Sequence, residues 1–174
     1  MTGARLTIAV LLAVAACAPV QTGHLSPSPT ATHTFAGGCG GTELTDGEPP
    51  VWAQGGWTHA KGTPWGVPWA LGTGGDAVAF VFANELVAGS SPRVHGTNNK
   101  VLWVAKGDNA NFIVEGIPPG GTLSVVTVNG GPSIVDVPSP GCWKFRLSWG
   151  SSRATSTINL DVLPAGRTPP APAA

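Results

Sequence analysis

The stretch CWKFRLSW, residues 142–149, decides the fold, because apolar and polar side chains alternate along its whole length. Successive side chains of a strand point to opposite faces of a sheet, so this period of two predicts a β-strand with one buried face. Residues 157–162 alternate in the same way, and Gly150, Ser151 and Ser152 begin the connection between the two stretches. We therefore expect a β-hairpin near the end of the chain. The apolar set of its first strand is Trp143, Phe145, Leu147 and Trp149.

Upstream of this hairpin, short apolar runs alternate with turn-forming residues. Residues 76–83 (DAVAFVFA) are almost wholly apolar and predict a central strand. Clusters of Gly, Pro and Asn separate the further runs, which are 101–105, 111–115, 122–128 and 133–137. We expect an all-β domain, an immunoglobulin-like β-sandwich of about seven to nine strands. A β-barrel would produce similar patterning.

The first sixteen residues have the composition of an export signal. Arg5 precedes the apolar run Leu6–Ala16, which is shorter than the about 20 residues that a membrane span needs. Small side chains at 14–16 stand before Cys17, as in lipoprotein processing, where that thiol accepts a diacylglyceryl group. We predict that residues 1–16 are a cleaved signal peptide and that Cys17 anchors the protein by lipid to the outer side of the cell membrane. The alternative is a secretory signal that carries a cysteine by chance.

Two segments of biased composition flank the predicted domain. Residues 17–38 begin with the lipidated cysteine, are rich in Pro, Ser and Thr, and predict a flexible tether with a reach of roughly 25 Å. Residues 164–174 (PAGRTPPAPAA) predict a disordered tail. The β-sandwich domain is expected to span residues 39–163, which is an ordinary size for a single domain.

The cysteine count suggests a disulfide. With Cys17 lipidated, Cys39 and Cys142 remain, in a compartment where disulfides persist. We expect these two to pair, although two unpaired thiols are the alternative.

The charge composition of the chain indicates which classes of partner to expect. Loss of Arg5 with the signal leaves eight Lys and Arg against nine Asp and Glu, and no basic patch stands out. We therefore do not expect the protein to bind nucleic acid. The expected partners are the membrane, through the lipid anchor, and an envelope protein or glycan.

Three segments resemble a group of bacterial exported lipoproteins that carry an immunoglobulin-like domain. They are PWALG at 68–72 with GGDAVAFVF at 74–82, NKVLWV at 99–104, and PSIVDVPSPGCWKFRLSWG at 132–150. The resemblance spans roughly residues 50–162, and its most specific part is the last segment. It implies an exported immunoglobulin-like domain, and it implies no activity, because that group has none assigned.

The densest group of tryptophans is the candidate binding segment. Exposed indoles present flat apolar faces with one N–H donor, which suits them to stacking on sugar rings or on a partner protein. The alternative is that the rings fold back and cover an open end of the sandwich, as large aromatic side chains are mostly buried. The candidate ligand-binding residues are Trp52, Trp57, His59, Trp65 and Trp69.

Catalytic patterns are weak. His95 and Cys142 are similar to the His and Gly-Cys elements of L,D-transpeptidases, but Pro140 stands where that family has a histidine. A glycosidase needs two carboxylates that the fold brings together, and the carboxylates of this chain are scattered along the sequence. The histidines lack metal-ligand spacing. We expect no catalytic residue, metal or cofactor, and a non-enzymatic interaction or structural module of the cell envelope. The alternatives are glycan binding through residues 52–69 and an envelope hydrolase or transpeptidase.

Overall fold

The computed structural model describes residues 34–55, 65–83, 85–91 and 98–167. Eleven strands and a single 3-10 turn at Val51–Ala53 lie in these residues. The predicted signal peptide, Cys17 and nearly all of the predicted tether lie outside them. The strands are β1 (Thr34–Phe35), β2 (Leu44–Thr45), β3 (Trp69–Leu71), β4 (Ala77–Val81), β5 (Leu86–Val87), β6 (Lys100–Ala105), β7 (Ile113–Ile117), β8 (Val126–Asn129), β9 (Gly131–Ile134), β10 (Gly141–Trp149) and β11 (Ala154–Leu163).

The strands form two sheets that pack face to face. The first sheet has the order β1-β2-β3-β4-β6-β9, and the second has the order β5-β11-β10-β7-β8. The pairs are antiparallel except for β5 with β11, which run parallel. The predicted all-β sandwich is confirmed, and its immunoglobulin-like subclass stays a prediction. The strand count exceeds the expected seven to nine because β1, β2 and β5 have two residues each, too few to show a period.

The predicted hairpin is the longest pair of strands. β10 and β11 are in register from Gly141 with Val162 to Trp149 with Ala154. The apolar side chains of both strands point into the core, where Phe145 lies 5.3 Å, centroid to centroid, from Trp103 of the opposite sheet. Burial of this apolar face is the main stabilising contribution to the sandwich.

Three separate segments cover the second edge of β11. The Thr73 N–H donates to Thr157 O at 3.0 Å. Further along, Gly38 bridges Leu160, and β5 pairs with Val162 and Leu163. An exposed edge strand invites pairing with other chains, so this cover protects the longest strand of the molecule.

Candidate functional site

The outward face of the six-stranded sheet is unusually apolar. In β4, Ala77, Ala79 and Val81 point into the core between the sheets, while Val78 and Phe80 belong to a second cluster on the opposite face. All five residues are buried. A sheet with one face in water normally alternates apolar and polar residues, so this face is built to be covered.

Part of the tryptophan segment covers that face. Trp65 and Trp69 are both buried in the second cluster together with Ala53. The Trp69 Nε1–H donates to Gly47 O at 2.7 Å, and the Trp65 ring lies 6.3 Å from the Phe80 ring. The burial of these two indoles favours the covering role over stacking on a ligand.

The other three candidate ligand-binding residues, Trp52, Trp57 and His59, are not buried in this way or lie outside the described residues. Trp52 is half-buried and packs on the same cluster, as do Leu102 and Val104. Trp57 and His59 lie outside the described residues, so their assignment stays a prediction. We call Trp52, Leu71, Leu102 and Val104 the outer apolar face, because these side chains remain partly accessible beside the buried indoles. Among the described residues, the outer apolar face is a surface that a partner can still reach.

The predicted disulfide is confirmed. Cys39 and Cys142 are bonded, with Cα atoms 5.8 Å apart. Cys142 is exposed on the outward face of β10, unlike the buried disulfide that joins the two sheets of antibody domains. Because the Cys142 sulfur is in this bond, it carries no thiolate, and the transpeptidase interpretation loses its nucleophile. His95, the other residue of that interpretation, lies outside the described residues.

Two of the scattered carboxylates have structural partners. Asp136 accepts hydrogen bonds from Ser91 N–H at 2.9 Å and from Ser91 Oγ at 2.8 Å. Glu115 accepts two from Arg146, at 3.0 Å from Nε and 2.9 Å from Nη2. Asp136 therefore ties the segment after β5 to the segment after β9 and has a structural role.

Glu85 is a buried carboxylic acid beside β11. Burial raises the pKa of its carboxyl group, and the nearby Asp161 carboxylate raises it further, while Arg167 acts in the opposite direction. Among the described residues, no three His, Cys, Asp or Glu side chains are grouped so that they could hold a metal ion. The pKa of Glu85 therefore depends on its burial and on a carboxylate of β11, that of Asp161.

The loop between β7 and β8 was not singled out from the sequence. The run 122–128 predicted a strand throughout, but β8 begins only at Val126. Leu123 and Val125 therefore lie in a loop and are 77% and 59% exposed. The sequence feature that could have indicated this loop is the run 116–135, which has no charged residue and contains Pro-Pro-Gly-Gly.

No helix within the described residues is long and apolar enough to cross a membrane. Comparison of the chain with protein-family models, with curated proteins and with solved structures found no match.

Proposed function

We propose that this protein is a lipid-anchored, extracytoplasmic β-sandwich that acts as a non-enzymatic interaction or structural module of the bacterial cell envelope. The location follows from the small residues before Cys17 and from the Pro/Ser/Thr-rich segment after it. Two acyl chains hold a protein stably at a membrane, where one is marginal. The anchor and tether would keep the domain near the membrane surface.

The observation that carries the proposal is the Cys39–Cys142 bond. Cys39 lies five residues after the first described residue, near the point where the predicted tether joins the domain. The bond ties that point to β10, the central strand of the five-stranded sheet. It also occupies the cysteine on which the transpeptidase alternative depends. A disulfide of this kind suits a protein exported to an oxidising compartment.

Mass spectrometry of the mature N-terminus tests the anchor. We expect a chain that begins at Cys17 and carries a diacylglyceryl thioether, and we expect it to enter the detergent phase in detergent partitioning. The Cys17→Ser variant should lack the lipid. A mature chain that begins elsewhere, or an unmodified Cys17 at the N-terminus, would contradict the proposal.

A second candidate function is binding of cell-wall glycan at the outer apolar face. The half-buried Trp52 favours it, since its indole is accessible beside other apolar side chains. Titration with soluble wall fragments should quench tryptophan fluorescence, and Trp52→Ala should abolish the saturable part. Trp57→Ala tests the part of the segment outside the described residues. Val51→Ala, an exposed neighbour, is the matched control. Equal titration curves for wild type and both tryptophan variants would reject this candidate.

A further inference from the structure

The loop between β7 and β8 presents two apolar side chains to solvent. Leu123 is 77% exposed and Val125 is 59% exposed. The twenty residues between Glu115 and Asp136 include no charged residue. Scattered apolar side chains are common on protein surfaces, but a neighbouring pair in a charge-free run points to a contact surface.

Hydrogen bonds hold this loop in shape. Ser124 Oγ donates to Val126 O at 2.8 Å, and Val125 N–H donates to Gly116 O at 3.0 Å. At the start of the loop, Gly121 N–H donates to Pro118 O at 3.0 Å. These bonds keep Leu123 and Val125 on the outside of the loop. The loop displays the pair instead of collapsing onto the core.

The loop lies at the end of the sandwich where the predicted tether joins. Gly38 pairs antiparallel with Leu160, and Asp161 N–H donates to Gly37 O, so the chain before Gly37 runs toward the Leu163 end of β11. That end of the hairpin also holds Gly141, which pairs with Val162. A Cβ on Gly141 would lie 2.9 Å from Cγ of Pro119, so the β7–β8 loop packs against the same end.

The length of the chain outside the described residues matches this placement. Residues 17–33 separate the predicted lipid site from Thr34, and a flexible segment of that length has a root-mean-square reach of roughly 20 Å. β11, which Gly37 and Gly38 flank, is two strand spacings of about 4.8 Å from β7 in the sheet, so the loop is roughly 10–15 Å from the strand beside these two glycines. The loop is therefore within reach of the membrane that would carry the anchor.

We infer that Leu123 and Val125 insert into the boundary between headgroups and acyl chains of that membrane, which orients the domain with its tether end toward the lipid. This inference rests on the proposed lipid anchor. Two small apolar side chains bind a bilayer weakly alone, but the anchor would hold them at a high effective concentration near it. Lys144, exposed and paired with Ile117 at the base of the loop, would face anionic headgroups.

The test uses the lipidated full chain in vesicles of phosphatidylcholine and phosphatidylglycerol. Leu123→Cys provides a single free thiol, because Cys39 and Cys142 are bonded and Cys17 is lipidated, and it is labelled with nitrobenzoxadiazole. Ser151→Cys, exposed in the turn at the opposite end of β10, is the matched control. We expect a blue shift and an increase in emission for the label at 123, quenching of that label by lipid-borne quenchers, and neither effect at 151.

Several outcomes would overturn the inference. Equal emission of the two labels on vesicle-bound protein would overturn it while leaving the anchor intact. If the protein does not float with the vesicles and the label is found on Cys17, the thiol of Cys17 carries no lipid. That outcome would overturn the proposed function instead. A shift that occurs without lipid and grows with protein concentration would assign the loop to a second copy of the chain.

As a second readout, Val125→Ser should reduce the emission shift of the label at 123. Lys144→Gln should make that shift depend less on the phosphatidylglycerol content of the vesicles.

Discussion

Asn99 shows how a single side chain joins the two halves of this sandwich. Its side chain is fully buried, and its Oδ1 accepts from Val87 N–H at 2.9 Å. Its Nδ2 donates to Val87 O at 2.9 Å and to Val135 O at 2.8 Å. The amide thus replaces the strand partner that β5 lacks on this side. Buried backbone groups need such partners, because leaving one unpaired costs about 1–3 kcal/mol.

Replacing Asn99 should be strongly destabilising. Asn99→Ala removes three buried hydrogen bonds to the backbone of Val87 and Val135, so we expect the free energy of unfolding to fall by about 3 kcal/mol. Urea unfolding measures the change. Asn129→Ala, at an exposed position in β8, is the matched control and should change stability by less than about 0.5 kcal/mol. Similar losses for the two variants would show that the Asn99 hydrogen bonds contribute little.

Glu85 predicts a pH dependence of stability. Its pKa in the folded protein is raised above the ordinary 4.5 by burial and then by Asp161. The folded state therefore holds the proton more tightly than the unfolded chain, and stability falls as pH rises from 4.5 through the raised value. Glu85→Gln should flatten the curve in this window and leave stability below pH 4.5 little changed. Urea unfolding at a series of pH values tests this, with Glu43→Gln, at an exposed position, as the control.

Gly130 lies where only a hydrogen fits. A Cβ at this position would overlap the ring of Phe112, which packs 5.9 Å, centroid to centroid, from Trp149. We expect Gly130→Ala to cost about 1–3 kcal/mol, the usual range for overpacking. If the ring is the cause, combining it with Phe112→Ala should cost less than the sum of the single changes. Additive losses in thermal or urea unfolding would place the strain in the backbone instead.

At the scale of elements, the N-terminal segment is held to the second sheet in two ways. Its backbone bonds to the second edge of β11, where Asp161 N–H donates to Gly37 O at 2.8 Å. The Cys39–Cys142 disulfide then crosses β11 and reaches β10. The bond closes a loop with a sequence separation of 103 residues. Closing a long loop stabilises a fold mainly by restricting the unfolded chain.

Removing the disulfide should therefore destabilise the whole domain. We expect the double variant Cys39→Ser with Cys142→Ser to lose about 2–5 kcal/mol of unfolding free energy. A reductant should lower the stability of the wild type toward that of the variant and leave the variant unchanged. Hydrogen exchange should also show faster exchange of the Asp161 amide in the variant. An unchanged urea midpoint would contradict this prediction.

At the scale of the whole molecule, the two sheets have different outward faces. The outward face of the five-stranded sheet carries polar side chains, including Lys144 and Arg146, whose neighbours face the core. The outward face of the six-stranded sheet is apolar and is covered by Trp65 and Trp69. The outer apolar face therefore belongs to the six-stranded sheet, and we propose it and the β7–β8 loop as the two contact surfaces of this domain.

Limited proteolysis tests the predicted domain bounds. A broad-specificity protease should remove the predicted tether and tail first, because extended polar segments are cut more readily than paired strands. The expected products have new termini between residues 18 and 33 and after Leu163, because Thr34 and Phe35 are already paired in β1, and mass spectrometry identifies them. First cuts within β10 or β11 would contradict the predicted bounds.

Much of the fold was predictable from local pattern. The alternation of residues 142–149 predicted β10, and the apolar run 76–83 predicted a central strand, observed as β4. Both depend on side-chain periodicity, which the chain carries in any environment. The two-residue strands β1, β2 and β5 were not predictable, because their pairing depends on partners far away in the sequence.

The sequence by itself determined the class of fold and predicted the pairing of Cys39 with Cys142, while the lipid anchor at Cys17 stays a prediction. Only the tertiary structure decided that Trp65 and Trp69 are buried while Leu123 and Val125 are exposed. The physical reason is that burial depends on which surfaces meet in the fold. An indole and a leucine are both apolar, and their spacing along the chain does not tell which of them another sheet or segment will cover.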